Sequence, residues 1–535
     1  MIGRKQKKVV LLGFDACDID LVRVFARSGK LPTFRRLLQS WSCARVNNPY
    51  GFFVGATWTS FFTARSAGKL GFHCWDTISA NYERRLTSPT EIVAGRFWDL
   101  AGESGRRVAV LDVPHSRATD GQSVLEVSEY GCHDRHFGLR CSRGAVRDEI
   151  TSRFGFHPVF TVDPFSERHF AADDYVHRAA ALRSADEEAL LQRDLLAGLQ
   201  RKHQLAKWIY GQDAWDLFIS IFGESHAVGH QSWYLHDLSH PRHNSELAHV
   251  LGDPLESVYA ALDGVLADFL STIGNECQVL VLLSHGMQAH YDGTYILEPA
   301  LARMDSFDRT GVQGNPIGRW IKAGWLKLDD QARSRLIAPL KIALQQSRRM
   351  NPPAAYFETD IGPSTRARQR FYMAPNNSVY GGVRVNLKGR EFAGLVNQGQ
   401  EFDALCVQLR HDLMALINVD TGGPVVRGVD RTDAHYQREF MNELPDLLID
   451  WNHDAPVETV WSAKTGIIHA PYWHWRSGDH RPGGFLFLSG PNIPVGADLG
   501  VIENRDIGPT ICAMLGVELT NVDGRPVPAL LGTRE

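Results

Sequence analysis

The stretch KVVLLGFDACDIDLVRVFARSGKLPTFRRLL, residues 8–38, carries the clearest structural signal of this 535-residue chain. After Lys8, residues 9–14 are an apolar run, and polar residues and a helical pattern follow. A buried strand followed by a helix is the repeating unit of a parallel sheet that is covered on both faces. Similar runs recur along the chain, so the sequence predicts an α/β fold with a mostly parallel sheet sandwiched by helices.

Apolar runs and helical periodicity give a first division of the chain. The predicted strands are 8–14, 107–113, 216–222, 278–283, 444–451 and 484–488, and the predicted helices include 187–210, 254–273, 331–346 and 402–417. Residues 1–290 and 431–535 are predicted to form a catalytic core with an irregular insertion over about 125–186. Residues 291–430, which include the strand-like run 378–387, are predicted to form a smaller α+β cap.

The composition excludes several classes of protein. A formal net charge of −4 is slight for this length, so nucleic acid and membrane surfaces are not expected partners. No stretch approaches the roughly 20 apolar residues that cross a bilayer, and a cytoplasmic location is expected. The eight cysteines form no CxxC pair, which argues against a zinc ribbon or a thioredoxin-type site.

Metal-binding residue types follow the predicted strands, where α/β sheets collect ligands. Asp15 follows the first strand, and His226 and His230 follow the strand at 216–222. Histidines four residues apart share one helix face and can chelate one cation, and a third histidine would complete a zinc site with an open position. His285 and His480 are further candidates. Taken singly, each residue could be a cap, a turn or a surface histidine, but their joint placement favours a metal site.

Five segments in this order resemble the type I phosphodiesterase/nucleotide pyrophosphatase family of the alkaline-phosphatase superfamily. They are VVLLGFDACDIDLVRVFARSGKLPTFRRLL, ATWTSFFTARSAGKLGFHCWD, LLSHGM, GDHRPGGFLFLSGPNI and RDIGPTICAMLGVELTNVDGRPV. The resemblance covers both ends and the middle of the chain. It implies an alkaline-phosphatase-like fold and hydrolysis of phosphate esters by divalent ions, usually zinc, that flank a threonine or serine nucleophile.

The resemblance also implies two sets of metal ligands. One ion would be held by His226, His230 and His480, and the other by Asp15, Ser284 and His285. In this sequence His226 and Ser284 stand where the family has carboxylates. Serine is a poor zinc ligand, so one tightly bound ion is predicted, with a second that is weak or absent.

Glu224, Asp292 and Asp479 are candidates to replace a missing carboxylate. The spacing of these residues along the sequence does not distinguish among them.

Thr57 and Glu224 are the candidate catalytic residues. Counting by the family's spacing places the nucleophile at Val54, which can neither attack nor ligate, and Thr57 is the nearest hydroxyl. The alternatives for Thr57 are a helix N-cap or a first-turn residue. Without an attacking hydroxyl, water on the metal would be the nucleophile, since zinc lowers its pKa to about 7.

Two predicted insertions carry groups suited to an anionic substrate. The candidates are His133, Asp134, Asn377, Arg384 and Arg390. Arginine binds phosphate and carboxylate through two parallel hydrogen bonds. The alternative for each residue is an ordinary loop hydrogen bond or ion pair.

The leading hypothesis is a metal-dependent hydrolase that acts on a phosphodiester or phosphomonoester of a small molecule. A group transferase or specialised biosynthetic enzyme on the same fold is the first alternative, and a non-catalytic, metal-stabilised binding protein is the second. The expected partner is a small phosphate-type substrate, and the oligomeric state is open.

Overall fold

The computed structural model describes residues 8–74, 76–87, 91–92, 94–119, 123–132, 138–159, 183–310, 361–437, 439–470 and 476–531. The chain divides into two compact units. The first comprises Met1–Ser66, Ser88–Ala289 and Trp475–Glu535, and the second comprises Ala67–Thr87 and His290–His474. No helix in the described residues is both long enough and apolar enough to cross a bilayer.

A nine-stranded sheet forms the centre of the first unit within the described residues. From edge to edge the strands are Asp498–Glu503, Ser42–Asn47, Gly484–Ser489, Cys277–Leu283, Lys8–Phe14, Leu217–Phe222, Val108–Leu111, Leu125–Ser128 and Arg140–Cys141. The run from Cys277–Leu283 to Leu125–Ser128 is parallel throughout. Gly484–Ser489 is antiparallel to both of its neighbours.

Helices cover both faces of this sheet. They are Ile19–Arg27, Pro32–Ser40, Phe53–Thr63, Phe97–Glu103, Gly144–Phe154, Ala185–Tyr210, Glu224–His236, Ser245–Leu251, Pro254–Thr272 and Ile507–Leu515. Along the strand Lys8–Phe14, Val10 and Leu12 belong to the core on one face, and Val9 and Leu11 to the core on the other. This alternation requires apolar residues at consecutive positions, which is why the strand is a continuous hydrophobic run. The predicted α/β class, with a mostly parallel sheet between helices, is confirmed.

The second unit is an α+β arrangement with its own core. Its strands are Asp76–Ile78, Arg84–Leu86, Phe371–Ala374, Tyr380–Val385, Ile417–Asn418, Val426–Arg431, Leu447–Trp451, Thr459–Ser462 and Gly466–His469. Its helices are Ala67–Leu70, Thr294–Thr310, Pro363–Arg366 and Gln400–Met414. The apolar cluster between them includes Leu301, Val383, Leu409 and Ile449.

The second unit takes in Ala67–Thr87 and residues 431–474, which were predicted to belong to the core. Two strands also differ from the prediction. Leu447–Trp451 pairs with Tyr380–Val385 and Val426–Arg431 in the second unit, so the strand predicted at 444–451 lies outside the central sheet. Leu125–Ser128 is a strand of the central sheet rather than the start of an irregular insertion. The helix predicted at 331–346 lies outside the described residues.

Candidate metal centre

The site is built at one edge of the central sheet. The strands that end at Phe14, Phe222 and Leu283 are parallel neighbours, so the chain leaves all three at the same side. Asp15 and Ser284 are the first residues beyond two of these strands. The backbone N–H of Asp15 donates to the carbonyl of Phe222 at 2.8 Å, and that of Ser284 donates to Phe14 at 3.2 Å. These backbone hydrogen bonds extend the ladder of the sheet by one residue and so fix the backbone positions of Asp15 and Ser284.

Two further elements bring histidines to this edge. His226 and His230 lie one turn apart on the helix Glu224–His236, which begins two residues after the strand ending at Phe222. His480 lies on the short strand Gly478–Arg481, which pairs antiparallel with Gly286–Ala289. The C-terminal histidine therefore reaches the helix although about 250 residues separate them in sequence.

His226, His230 and His480, here called the histidine triad, converge through their Nε2 atoms. Nε2 of His226 lies 2.9 Å from Nε2 of His230 and 2.8 Å from Nε2 of His480. All three rings are buried, and one ligand atom from each lies within 4.8 Å of the others. The three histidines predicted to share one ion are thus placed together.

Each triad ring has an oxygen on its opposite side. Nδ1 of His226 donates to a carboxylate oxygen of Asp15 at 2.7 Å, and Nδ1 of His230 donates to the carbonyl of Gly478 at 2.8 Å. Nδ1 of His480 lies 3.5 Å from a carboxylate oxygen of Asp479. Carbonyls only accept hydrogen bonds, so His230 carries its proton on Nδ1, and the carboxylate favours the same tautomer in His226.

This tautomer leaves a lone pair on each Nε2 of His226 and His230. Two lone pairs 2.9 Å apart repel each other unless a cation lies between them. Zinc binds imidazole nitrogens, and oxygens behind the rings are the usual outer partners of such ligands. Nitrogens on a tetrahedral zinc ion lie about 3.3 Å apart, so the rings would separate by roughly 0.5 Å to hold one. The donor set fits a single divalent ion.

Asp15, Ser284 and His285, here called the aspartate arm, lie beside the triad. One carboxylate oxygen of Asp15 accepts from Nε1 of Trp58 and from Oγ of Ser284, both at 2.9 Å, and the other accepts from His226. Burial alone would raise the pKa of Asp15, but the interactions with His226 and His285 and the bond from Ser284 hold it well below its ordinary value. Both oxygens of this predicted metal ligand are therefore in use.

His285 packs against the triad without joining it. Its ring stacks on that of His480, with centroids 4.6 Å apart, and the ring of Phe53 meets both histidines edge-on. Nδ1 of His285 lies 3.1 Å from Oγ of Ser284. Burial lowers the pKa of His285 to about 4, so the ring is neutral at neutral pH. That a second ion on the aspartate arm is weak or absent remains a prediction.

Thr57 is the fifth residue of the helix Phe53–Thr63. The N-cap of that helix is Phe52, so the alternative interpretation of Thr57 as an N-cap or first-turn residue is wrong. Its side chain is 1 % exposed, and its hydroxyl has no hydrogen-bond partner within the described parts of the chain. The catalytic role of Thr57 stays a prediction.

Glu224 is buried and belongs to a polar network with His157. One of its oxygens lies 3.3 Å from Nε2 of His157, whose Nδ1 accepts from the backbone N–H of Val159. Nearby, the ammonium group of Lys202 lies 2.7 Å from a carboxylate oxygen of Asp112, and both side chains are fully buried. The predicted catalytic role of Glu224 is untested, but its observed partner is structural.

The predicted substrate-binding arginines lie in the second unit, and both make ion pairs. Arg384 donates to Glu391 at 2.7 Å. Arg390 donates to both oxygens of Asp446 at 2.7 Å. Burial alone would lower the pKa of Arg390, but the carboxylates of Asp446 and Glu391 raise that pKa above its ordinary value. The first pair ties the segment after the strand Tyr380–Val385 back to that strand, and the second ties the same segment to Asp446. Two other substrate-binding candidates fall outside the described residues: His133 and Asp134.

Asn377, the remaining candidate, also has partners within the second unit. Its side-chain oxygen accepts from the thiol of Cys74 at 3.1 Å, and its side-chain nitrogen donates to the carbonyl of His73 at 3.3 Å. Asp292, considered above as a replacement carboxylate, belongs to the same unit and lies 2.7 Å from Nε2 of His290. Both side chains thus make local hydrogen bonds, and the substrate-binding role of Asn377 remains a prediction.

Arg476 is a residue of the site that the sequence patterns did not indicate. Its Nη1 atom lies 3.2 Å from Nε2 of His230. A guanidinium only donates, so this contact is consistent with a lone pair on that nitrogen. The residue belongs to no recognisable motif, and its position four residues before His480 is the one available signal.

The fold and the site together define an α/β protein with a candidate three-histidine metal centre at the carboxyl edge of its central sheet. No family model and no curated protein matches the chain. Solved structures that are similar to it include murine ectonucleotide pyrophosphatase/phosphodiesterase 5, with 12 % identity, a TM-score of 0.47 and 97 % of each chain covered. The human protein of the same name has 12 % identity and a TM-score of 0.47, with 98 % of this chain and 100 % of that chain covered.

A further similar structure is phosphonoacetate hydrolase from Sinorhizobium meliloti 1021 in complex with phosphonoacetate. It has 11 % identity and a TM-score of 0.47, with 96 % of this chain and 95 % of that chain covered.

Proposed function

We propose that this protein is a metal-dependent hydrolase that acts on a phosphate ester of a small molecule and uses one zinc ion. The observation that carries the proposal is the histidine triad, in which hydrogen bonds on Nδ1 turn the Nε2 lone pairs of His226 and His230 toward each other. The motif resemblance described above supports the phosphate-ester class. His226, His230 and His480 would hold the ion.

A divalent ion bound by neutral histidines keeps its charge and an open position, where it can polarise a phosphoryl oxygen and lower the pKa of water. The chain's own groups would prepare that position. Asp15 and the Gly478 carbonyl fix the orientation of two rings, and a carboxylate behind an imidazole makes it a better donor. The ring of Phe53 covers one side of His285 and His480 with apolar surface.

The aspartate arm supports the proposal of one ion rather than two. Asp15 already accepts three hydrogen bonds, and Ser284 replaces a charged ligand with a neutral hydroxyl. An ion bound at the aspartate arm would have to break the hydrogen bonds to Asp15, and the arm would offer it a single carboxylate ligand. Its affinity should therefore be far lower than that of the ion held by the triad.

Metal analysis with matched variants tests the proposal. The purified protein should carry about one zinc ion per chain, and His230→Ala and His480→Ala should lose it, because two remaining imidazoles hold zinc weakly. His249→Ala, an exposed histidine on the helix Ser245–Leu251, is the control and should keep the ion. Anomalous scattering at the zinc edge would place the ion among the three rings.

Activity is measured on aryl phosphomonoesters and phosphodiesters, with phosphonates and sulfates in the same panel. Hydrolysis should depend on zinc and disappear in His230→Ala but not in His249→Ala. A zinc-loaded protein that cleaves no member of the panel would contradict the proposed hydrolysis. Product analysis in the presence of acceptor alcohols separates hydrolysis from transfer, since transfer leaves an ester where hydrolysis leaves the free acid.

A further inference from the structure

Asp18 is a buried carboxylate to which the proposed chemistry gives no role. It lies three residues after Asp15 and is 1 % exposed. Its Oδ1 atom accepts from the backbone N–H groups of Asp20 and Leu21, at 2.8 and 3.1 Å, and so caps the helix Ile19–Arg27. The cap occupies Oδ1 alone, so the partners of Oδ2 need a separate explanation.

Oδ2 of Asp18 holds the pair of short antiparallel strands that carries His480. It accepts from the backbone N–H of Met287 at 3.1 Å and from Nη2 of Arg481 at 2.7 Å. Met287 is the residue that pairs with His480 across the two strands, and Arg481 directly follows His480. One carboxylate oxygen therefore contacts both strands at the level of the triad histidine.

The carboxylate and the strand pair approach each other closely. A Cβ atom at Gly286 would lie 2.3 Å from Oδ2 of Asp18, so the absence of a side chain at Gly286 permits this approach. Arg481 also donates to Asp20 at 2.8 Å, but that carboxylate is exposed, and exposed ion pairs contribute little. Removing Arg481 would leave the buried charge of Asp18 without its counter-charge, so the pair with Asp18 is the stronger constraint.

We propose that Asp18 and Arg481 are positioning residues of the metal centre, whose ion pair sets the place of His480 relative to the other two triad histidines. The inference rests on the proposed metal centre. His480 is the triad ligand that comes from outside the helix Glu224–His236, so its ring needs a support of its own. Metal ligands must be held within about 0.5 Å of their productive geometry, and the pair holds both the residue after His480 and the strand opposite it.

Zinc affinity in a double-mutant cycle tests the inference, with competition by a chelating dye as the measurement. Arg481→Ala should weaken zinc binding about 10-fold, because His480 loses its support while all three imidazoles remain. Loss of a nearby positive charge would by itself tighten the binding of a cation, so a weaker affinity is not an electrostatic effect. In a His480→Ala background the same substitution should change the affinity by less than about two-fold, since the residue that it positions is gone.

Three further variants sharpen the cycle. Asp18→Asn keeps an oxygen for the helix cap and should weaken zinc binding about as much as Arg481→Ala does. Arg481→Lys should recover part of the affinity, because lysine keeps the charge. Asp20→Asn removes the exposed partner of Arg481 and is the matched control, which should bind zinc as the wild type does.

Unchanged or tighter zinc binding in both Arg481→Ala and Asp18→Asn would overturn the inference. An equal loss of affinity with and without His480 would also overturn it, because the pair would then act on the fold as a whole. Thermal unfolding of each variant in chelator shows whether it is folded, and Asp18→Asn in place of Arg481→Ala completes the cycle if the alanine variant is not.

The proposed function fails separately from this inference. A protein that binds zinc in a manner that depends on Arg481, but hydrolyses no ester, retains the positioning pair and loses the proposed reaction. A protein that hydrolyses esters with zinc, and binds zinc equally well without Arg481, retains the reaction and loses the positioning pair. A wild type that binds no zinc contradicts both.

Discussion

The histidine triad and the aspartate arm lie at the same edge of one sheet and differ in what their side chains are bonded to. In the triad, the Nδ1 atoms of His226 and His230 donate to oxygens, which turns the lone pairs of their Nε2 atoms toward each other. In the aspartate arm, both carboxylate oxygens of Asp15 accept hydrogen bonds, one from Trp58 and Ser284 and the other from His226. The availability of a ligand thus depends on its partners as much as on its chemical type.

The two regions are also linked through one bond. Asp15 belongs to the arm by position, but its contact with His226 makes it an outer partner of the triad. In the proposed one-ion centre, this carboxylate would orient and polarise an imidazole instead of binding a metal ion directly. We expect the side chain at position 284, a hydroxyl in this chain, to decide whether Asp15 binds a metal ion directly or orients His226.

Ser284→Asp should have the largest effect, because it puts a second carboxylate where a hydroxyl now donates to Asp15 at 2.9 Å. Without metal, two buried carboxylates repel each other, and we expect the free energy of unfolding to fall by on the order of 3 kcal/mol. Excess zinc should restore the stability and raise the content toward two ions per chain. Thermal unfolding with chelator and with zinc, together with elemental analysis, checks both expectations.

Ser284→Asn is the matched control, since it has nearly the same shape as aspartate and no charge. It should bind a single ion. A Ser284→Asp protein that is as stable as the wild type in chelator, or that still carries one ion in excess zinc, would contradict the view that Ser284 sets the role of Asp15.

Asp15→Asn should have an intermediate effect on the triad. The amide can still accept from Nδ1 of His226 but no longer makes that ring a stronger donor, so zinc affinity should fall by about 10- to 100-fold. Competition with a chelating dye measures the affinity. Asp479→Asn is the comparison variant. Its carboxylate lies farther from its histidine, 3.5 Å against 2.7 Å, and the loss should be smaller. Equal zinc affinity in Asp15→Asn and the wild type would show that the Asp15 carboxylate does not strengthen zinc binding by the triad.

The sequence was sufficient to predict the three parallel strands whose ends meet at the site, but not the helix Glu224–His236 or the short strand Gly478–Arg481 that carry the triad. The strand 8–14 was placed within its observed bounds, because a continuous apolar run has few alternatives in a covered sheet. His226, His230 and His480 were brought together by strand-end position and motif resemblance. The strand at 447–451 was assigned to the wrong sheet, since an apolar run predicts a strand but does not identify its partner.

The remaining features of the site depend on contacts between distant residues. The bond from His226 to Asp15 spans 211 positions, and the one from Arg476 to His230 spans 246. Local patterns carry no information on such pairs. Glu224 shows the same limit, because its residue type and strand-end position suggested catalysis, whereas its partner is the buried His157.

Thr57→Val should have the smallest effect, and it tests whether a hydroxyl attacks the substrate. The Thr57 hydroxyl is buried and without a hydrogen-bond partner among the described residues, so replacing it by a methyl group of similar size should change the free energy of unfolding by less than about 1 kcal/mol. If water at the triad is the nucleophile, kcat in Thr57→Val should stay within a few-fold of the wild type. Loss of turnover in Thr57→Val, with activity retained in Thr57→Ser, would instead make Thr57 the attacking group. Steady-state kinetics and unfolding curves on these two variants separate the outcomes, because a packing defect would lower stability and an absent nucleophile would lower kcat alone.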